Sequence, residues 1–381
     1  MKRMTSLSAL LNTIRPLLLG LVCACLGGGC AGSDGVKQAQ PGRVGEVSYE
    51  EIIAYTGPAA AAPWAYHGAP GFVLSTPHYR LFTTSRDEDL IELMPLFIEQ
   101  SLNHYRSEFG LLPAPIRPME SYLFEQRGQW EDFTRRVMGS QAGPYLNISR
   151  GGFAVNGIGV FYELSGSDTY KIAAHEGWHQ FSQTVFRDSL PDWVEEGVAT
   201  YMEGHRVRRG QFSFAPWSNP ERFFQIHRAR RDGLLLPLDV LLQTDPEDLL
   251  SSKDAGVLNY YAQVWLLIHY LQEWDDGKYR RSFADLLSDA CNGTLDQSIS
   301  KRLSPSRLDA DATGQHTALG SEAVPRTGIA GIDIFRAYFN TDLEDADTEY
   351  RRFISQMSGR GAWRRMMQGR RPSSASGRTP D

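Results

Sequence analysis

From Asp168 onward, apolar residues recur at the three-to-four spacing of helices buried on one side. The pattern predicts helices over 168–186, 192–206, 219–232, 258–274, 279–290, 332–340 and 346–357. Between about 50 and 165 the pattern is mixed. Phe72-Val-Leu, His78-Tyr-Arg-Leu-Phe-Thr and Arg117 to Glu125 read as strands, while Glu88 to Phe109 is an amphipathic helix ending at Gly110. Gln129 to Met138 is a further helix. Gly151 to Leu164 reads as two strands turned by Asn156-Gly157, a dipeptide suited to hairpin dihedrals. Asp168 is the expected N-cap of the 168–186 helix, and Pro191 opens the next where its missing N–H leaves nothing unsatisfied. The expected architecture is α+β: a mixed sheet lobe over 49–190 followed by a helical lobe over 191–368.

The helix over 168–186 carries His175-Glu176-Gly177-Trp178-His179. One turn apart on one face, the two imidazoles can reach a single metal ion, and Glu176 points to the neighbouring side, where a water would sit. The next helix supplies Glu196 as third ligand, leaving one coordination position open, the arrangement of a catalytic zinc site with one Zn2+ per chain. Thr200, one turn on, is a candidate to hydrogen-bond a ligating histidine, the alternative being a bond to its own helix. Glu203 reads as a histidine-orienting group or a surface charge, and Trp178 and Trp193 as packing residues. His205, near the helix end, is poorly placed for a fourth ligand.

His175-Glu176-Gly177-Trp178-His179-Gln180, followed by Trp193-x-x-Glu196-Gly197-x-Ala199-x-Tyr201-x-Glu203, resembles the gluzincin clan of zinc metallopeptidases, with aminopeptidase-N-like and thermolysin-like motifs. The resemblance implies Glu196 and not Glu195 as ligand, since the ligand there directly precedes the glycine. Gly197, lacking a side chain, would let the two helices approach across the metal. Tyr260-Tyr-Ala-Gln-Val-Trp-Leu-Leu-Ile-His-Tyr-Leu271 and Phe335-x-x-Tyr-Phe-x-x-Asp-Leu-Glu344 are similar to exported bacterial gluzincins of uncharacterised function. The likeness spans roughly residues 70 to 357, only the two metal motifs are highly specific, and it implies a zincin-like sheet lobe with the active cleft between it and the helical lobe. It implies Glu176 as general base and Tyr260 or Tyr261 as donor to the oxyanion, with Tyr261 preferred because it begins the Tyr-Ala-Gln-x-Trp pattern.

Gly152, Phe153 and Ala154 would form an edge strand able to bind an extended peptide, the rival reading being sheet core. Aminopeptidases of this type carry Gly-Ala-Met-Glu-Asn there. This chain has Gly152-Phe153-Ala154-Val155-Asn156, with Val155 in place of the carboxylate that holds a substrate's amino group, and Glu163 as a possible substitute. The expected activity is therefore hydrolysis within peptide chains; the alternative is a non-catalytic lipoprotein presenting a peptide groove.

Lys2, Arg3 and Arg15 precede an apolar run from Pro16 to Leu26, too short to span a bilayer and fitting an export signal over 1–29. Gly27-Gly-Gly-Cys30 resembles a lipoprotein cleavage box with Cys30 lipidated; Cys25 is a fallback, and simple signal cleavage with a soluble product the alternative. A lipid anchor on a bacterial membrane, facing outside the cytoplasm, is expected, with residues 30–48 as a tether. After processing Cys291 is the remaining thiol besides Cys30, so no disulfide framework forms. A net charge of −6 argues against nucleic acid as a partner, and His227-Arg-Ala-Arg-Arg231 reads as a wet helix face. Ser304 to Gly331 is expected to be a surface loop and residues after 369 a disordered tail.

Overall fold

Six strands pair into one sheet: β1 (Ala60–Tyr66), β2 (Ala69–Ser75), β3 (Tyr79–Thr83), β4 (Met119–Phe124), β5 (Gly152–Val155) and β6 (Ile158–Tyr162). The computed structural model describes residues 59–372 except 149, 165, 247–248, 250–255, 304–329 and 360. The export signal, Cys30, the tether, the 304–329 stretch and residues 373–381 lie outside the described residues. Strand order is β1-β2-β3-β4-β6-β5. β3–β4 and β4–β6 are parallel and the other pairs antiparallel, so the sheet is mixed and β5 forms one edge. The β5–β6 turn is the expected one: Asn156 and Gly157 both adopt positive φ (52° and 75°). β1 was not foreseen, because its Ala-rich opening lacks a strand's alternation; His67 and Gly68, also at positive φ (50° and 84°), turn it into β2.

The helices interleaved with the sheet are α1 (Glu88–Ser107), α2 (Arg127–Met138), α3 (Ala142–Leu146) and α4 (Asp168–Val185). After them come α5 (Asp192–Met202), the hairpin β7 (His205–Arg208) and β8 (Gln211–Phe214), α6 (Pro220–Arg231) and α7 (Leu238–Gln243). The chain closes with α8 (Gly256–Glu273), α9 (Arg280–Asn292), α10 (Leu295–Arg302), α11 (Gly331–Phe339), α12 (Leu343–Met357) and α13 (Ala362–Met366). α1 buries Leu90, Met94, Phe97, Leu102 and Tyr105 along one stripe, and α4 lies against that stripe and against β5 and β6. Gly177 makes this closeness feasible, since a Cβ there would stand 2.6 Å from the Tyr105 hydroxyl. One apolar core runs without a break from Leu81 and Leu123 of the sheet through Trp178 and Trp193 to Leu267 and Phe335.

Four expectations need correction. The 192–206 helix stops at Met202, because Gly204 is pressed against Ala215 and Pro216 with no room for a Cβ, and the chain leaves as a hairpin. Asp168 is not the cap of α4; Ser167 occupies that position, and Asp168 pairs in the first turn with Lys171 (3.1 Å) and with Arg150. Pro191 is the N-cap of α5, one place earlier than expected. The tail is ordered through Pro372: Arg371 Nε lies 2.9 Å from the Glu273 carboxylate. α7, α10 and α13 escaped the periodicity because they are only 6, 8 and 5 residues long.

Gly197 has a different use from the expected one. A Cβ there would meet Ile268 Cγ1 at 2.9 Å and the Val264 carbonyl at 3.1 Å, so the glycine seats α5 on α8, not on the metal helix. Gly197→Ala is expected to destabilise the fold by about 1–3 kcal/mol through overpacking, measured by denaturant unfolding. An unchanged midpoint would mean that α5 and α8 adjust freely.

Candidate metal centre

Two crossing helices build the centre. α4 presents His175 and His179 with ring centroids 5.0 Å apart, and α5 presents Glu196 opposite them. Glu196 Oε2 stands 3.5 Å from His175 Nε2 and 3.6 Å from His179 Nε2. Among the described residues this is the one group of three or more such side chains whose ligand atoms all lie within 4.8 Å of one another, and it can hold a metal ion. Donors placed tetrahedrally at zinc-like bond lengths stand about 3.4 Å from each other, so the observed spacings fit a shared ion better than paired hydrogen bonds. Glu196 Oε2 is also buried without a hydrogen-bond partner, and an unmet buried carboxylate oxygen calls for a cation.

The outer imidazole nitrogens are held by carboxylates, which can only accept, so each Nδ1 donates and, in the neutral imidazole, each Nε2 turns its lone pair inward. His175 Nδ1 bonds Glu203 (3.0 Å), and His179 Nδ1 bonds Glu195 (3.3 Å). Glu195 is fixed in turn by Trp178 Nε1 (3.0 Å) and Ser182 Oγ (3.1 Å). Glu203 accepts from Asn219 Nδ2 (2.7 Å) and from the Arg222 guanidinium (2.8 and 3.3 Å). Glu203 is thus buried and histidine-orienting, not a surface charge. Thr200 does not touch a histidine; its hydroxyl donates to the Glu196 and Gly197 carbonyls (2.7 and 2.9 Å), the usual habit of a helix threonine. Asn219 and Arg222 were missed by sequence reasoning. Asn219 was legible only as a helix cap, a task it also performs for Arg222 N.

Glu176 is 8% exposed and faces the sheet edge. The Gly152 main-chain amide bonds its carboxylate, and a Cβ at 152 would stand 3.0 Å from Glu176 Cγ and 2.7 Å from the Val160 carbonyl. Burial pushes the Glu176 carboxyl up, aided by the Glu196 charge and partly offset by both histidines and that amide. One turn later Gln180 donates to the carbonyls of Glu120 (2.7 Å) and Gly157 (2.9 Å) and accepts from Ser121 Oγ (3.0 Å).

The candidate peptide strand divides by side-chain direction. Gly152 borders Glu176, whereas Phe153 is buried against Tyr145 and Trp130, with ring centroids 4.8 and 6.1 Å away, and so belongs to the core. The Ala154 carbonyl already accepts from Gln183 Nε2 at 3.1 Å, so part of the β5 main chain is engaged by α4. Val155 is buried, and Glu163 is held by Ser85 Oγ at 2.9 Å. Of the two tyrosines, Tyr261 lies edge-on to His175, 6.3 Å between centroids, and carries the Arg222 guanidinium 5.2 Å from its ring. Tyr260 is fully buried. His205 is no ligand: its Nδ1 bonds the Glu203 carbonyl and its ring packs on Phe97.

Burial alone would depress both histidines, yet the carboxylates overcome it. Glu196 and Glu203 push His175 up to about 9, and Glu196 with Glu195 raises His179 well above its usual value. Burial opposes ionisation of Glu196 and Glu203 as well. The histidines nevertheless hold Glu196 far below the carboxylate range, and Arg222 with His175 brings Glu203 to about 2. The centre therefore demands positive charge, supplied by protons or by a metal ion.

Glu196→Gln should abolish metal retention, whereas Glu195→Gln should weaken it by on the order of 10–100-fold, both read by metal analysis after dialysis against a chelator. The opposite ranking would move the ligand by one residue. The metal-free protein keeps the His175 contribution in full below about 6.5 and should lose stability as pH rises towards about 9. A metal needs neutral imidazoles, so the loaded form should lose stability in the acidic direction instead. Thermal midpoints of both forms across that range check the sign.

Compared with protein-family models, with curated proteins and with solved structures, the chain matches none, so the chemical reading rests on the geometry of the centre itself.

Proposed function

We propose that this chain is a zinc-dependent peptidase on a zincin-like scaffold, hydrolysing bonds within peptide chains. Outside the cytoplasm, a lipid at Cys30 would tether it to a bacterial membrane. The observation that carries this reading is the convergence of His175, His179 and Glu196 with Glu176 on the same helix, clamped beside an edge strand. Two imidazoles and one carboxylate, with no fourth protein donor among the described residues, make a donor set suited to catalytic zinc. Zinc bound there would acidify a water and polarise the substrate carbonyl.

The remaining steps fall to the chain's own groups. Glu176, its carboxyl raised by burial, is suited to take the attacking water's proton and deliver it to the leaving nitrogen. Tyr261 is held neutral by burial and by the Glu196 charge, so its hydroxyl is available to donate to the developing oxyanion. Glu203, Asn219 and Arg222 hold His175 in one tautomer, and Glu195, Trp178 and Ser182 do so for His179. The absence of a carboxylate from Gly152 to Val155 favours internal cleavage over removal of N-terminal residues.

Glu176→Gln should retain zinc and lose cleavage of a peptide library by on the order of 10²–10⁴-fold in kcat/KM. Tyr261→Phe should lower kcat by on the order of 10²-fold with little change in zinc content. Undiminished cleavage by Glu176→Gln would remove the peptidase reading. Zinc binding without any cleavage by the wild type would favour a peptide-binding lipoprotein.

A further inference from the structure

The chain is acidic overall, yet between Arg351 and Pro380 it carries eight arginines and no acidic residue. The described part of this stretch folds back onto the body. Arg206 of β7 donates to the main-chain oxygens of Met367 and Gln368, and Arg230 of α6 donates to Ser358 Oγ at 3.0 Å. Phe223 of α6 packs 5.9 Å from the Trp363 ring of α13. α6 and α13 therefore lie side by side.

The outward faces of both carry apolar and basic residues, with Glu221 and the C-cap Asp232 the exposed acidic residues of α6. On α6 the exposed positions Phe224, His227, Arg228 and Arg231 follow the i, i+3, i+4, i+7 spacing of a single face. On α13 and the turn beyond it, Trp363, Arg364, Met367 and Arg370 are exposed. Phe224, Trp363 and Met367 leave 61%, 48% and 47% of their surface in water, and Phe224 and Trp363 line one cavity of about 240 Å³. Among the described residues Arg364 and Arg370 form no ion pair, while Arg228 and Arg231 share the single carboxylate of Asp232 (3.6 and 2.7 Å). Apolar side chains exposed together beside arginines, two of which have no ion pair among the described residues, mark a contact surface.

We infer that this face docks on an anionic lipid membrane. Phe224, Trp363 and Met367 enter the boundary between headgroups and acyl chains, and Arg228, Arg364 and Arg370 meet lipid phosphates. Trp beside Arg is the composition of interfacial segments, and each basic residue near the surface adds to the attraction. The exposed apolar side chains favour a membrane over a nucleic acid, since Phe224, Trp363 and Met367 gain from entering an acyl boundary and would gain nothing from phosphates. The inference is independent of the peptidase reading. With an acyl chain at Cys30 it would supply the additional attachment that one lipid requires for stable anchoring.

The test uses the full chain with Cys25→Ala and Cys30→Ala, so that no acyl chain contributes. It is mixed with phosphatidylcholine vesicles, with or without phosphatidylglycerol, and co-sedimentation is measured. The expected result is stronger binding to the anionic vesicles, weakened by salt. Arg364→Glu combined with Arg370→Glu should reduce it by on the order of tenfold or more. Trp363→Ser should reduce it severalfold at unchanged charge and unchanged salt dependence. Metal content and thermal midpoint, expected to be unaltered in these surface variants, show that the fold is retained. Equal partition of parent and variants overturns the inference. So does a parent that ignores lipid yet binds single-stranded RNA through the same arginines.

Discussion

Where α4 and α5 cross, four carboxylates (Glu176, Glu195, Glu196 and Glu203) crowd two imidazoles and a single guanidinium in the protein interior. Buried anions persist only when something positive is held with them. This constraint organises the surrounding structure. Arg222 neutralises Glu203, Gly152 turns a main-chain amide to Glu176, and Glu196 is left with one oxygen that has no hydrogen-bond partner among the described residues. Trp178, Trp193 and Val198 of the two helices are buried in the shared core beside the crossing. A metal ion held by His175, His179 and Glu196 would resolve the imbalance and tie the two helices to each other.

The supports extend beyond the pair. α5 is pressed onto α8 through Gly197, and α8 in turn brings Tyr261 edge-on to His175. α6 begins with Asn219, which both caps its own helix and holds Glu203, so the start of one helix is tied to the orientation of a ligand on another. Glu176, the candidate ligands and Tyr261 thus come from three helices that share one core.

The parts of this arrangement that were legible in the sequence are the local ones. His175, Glu176 and His179 lie within one helical turn and a half, so spacing placed them together, and the resemblance to gluzincin motifs singled out Glu196 beside Gly197. The Asn156-Gly157 turn was legible because its dihedrals demand those residues. Glu203 was within reach, seven residues from Glu196 and hence on the same helix face, but a glutamate near a helix end reads as solvated until its neighbours are known. Arg222 was not legible. Its role depends on a hairpin, β7–β8, which reverses the chain where periodicity continued a helix. Thr200 failed as a histidine partner because its own helix carbonyls were nearer than any ring.

Gln180 has a mechanical consequence. With its amide tied to β4 and to the hairpin turn at once, the helix bearing both histidines is keyed to the sheet against sliding and against rotation. Whatever lies along β5 meets a carboxylate whose height and angle are already set by the frame.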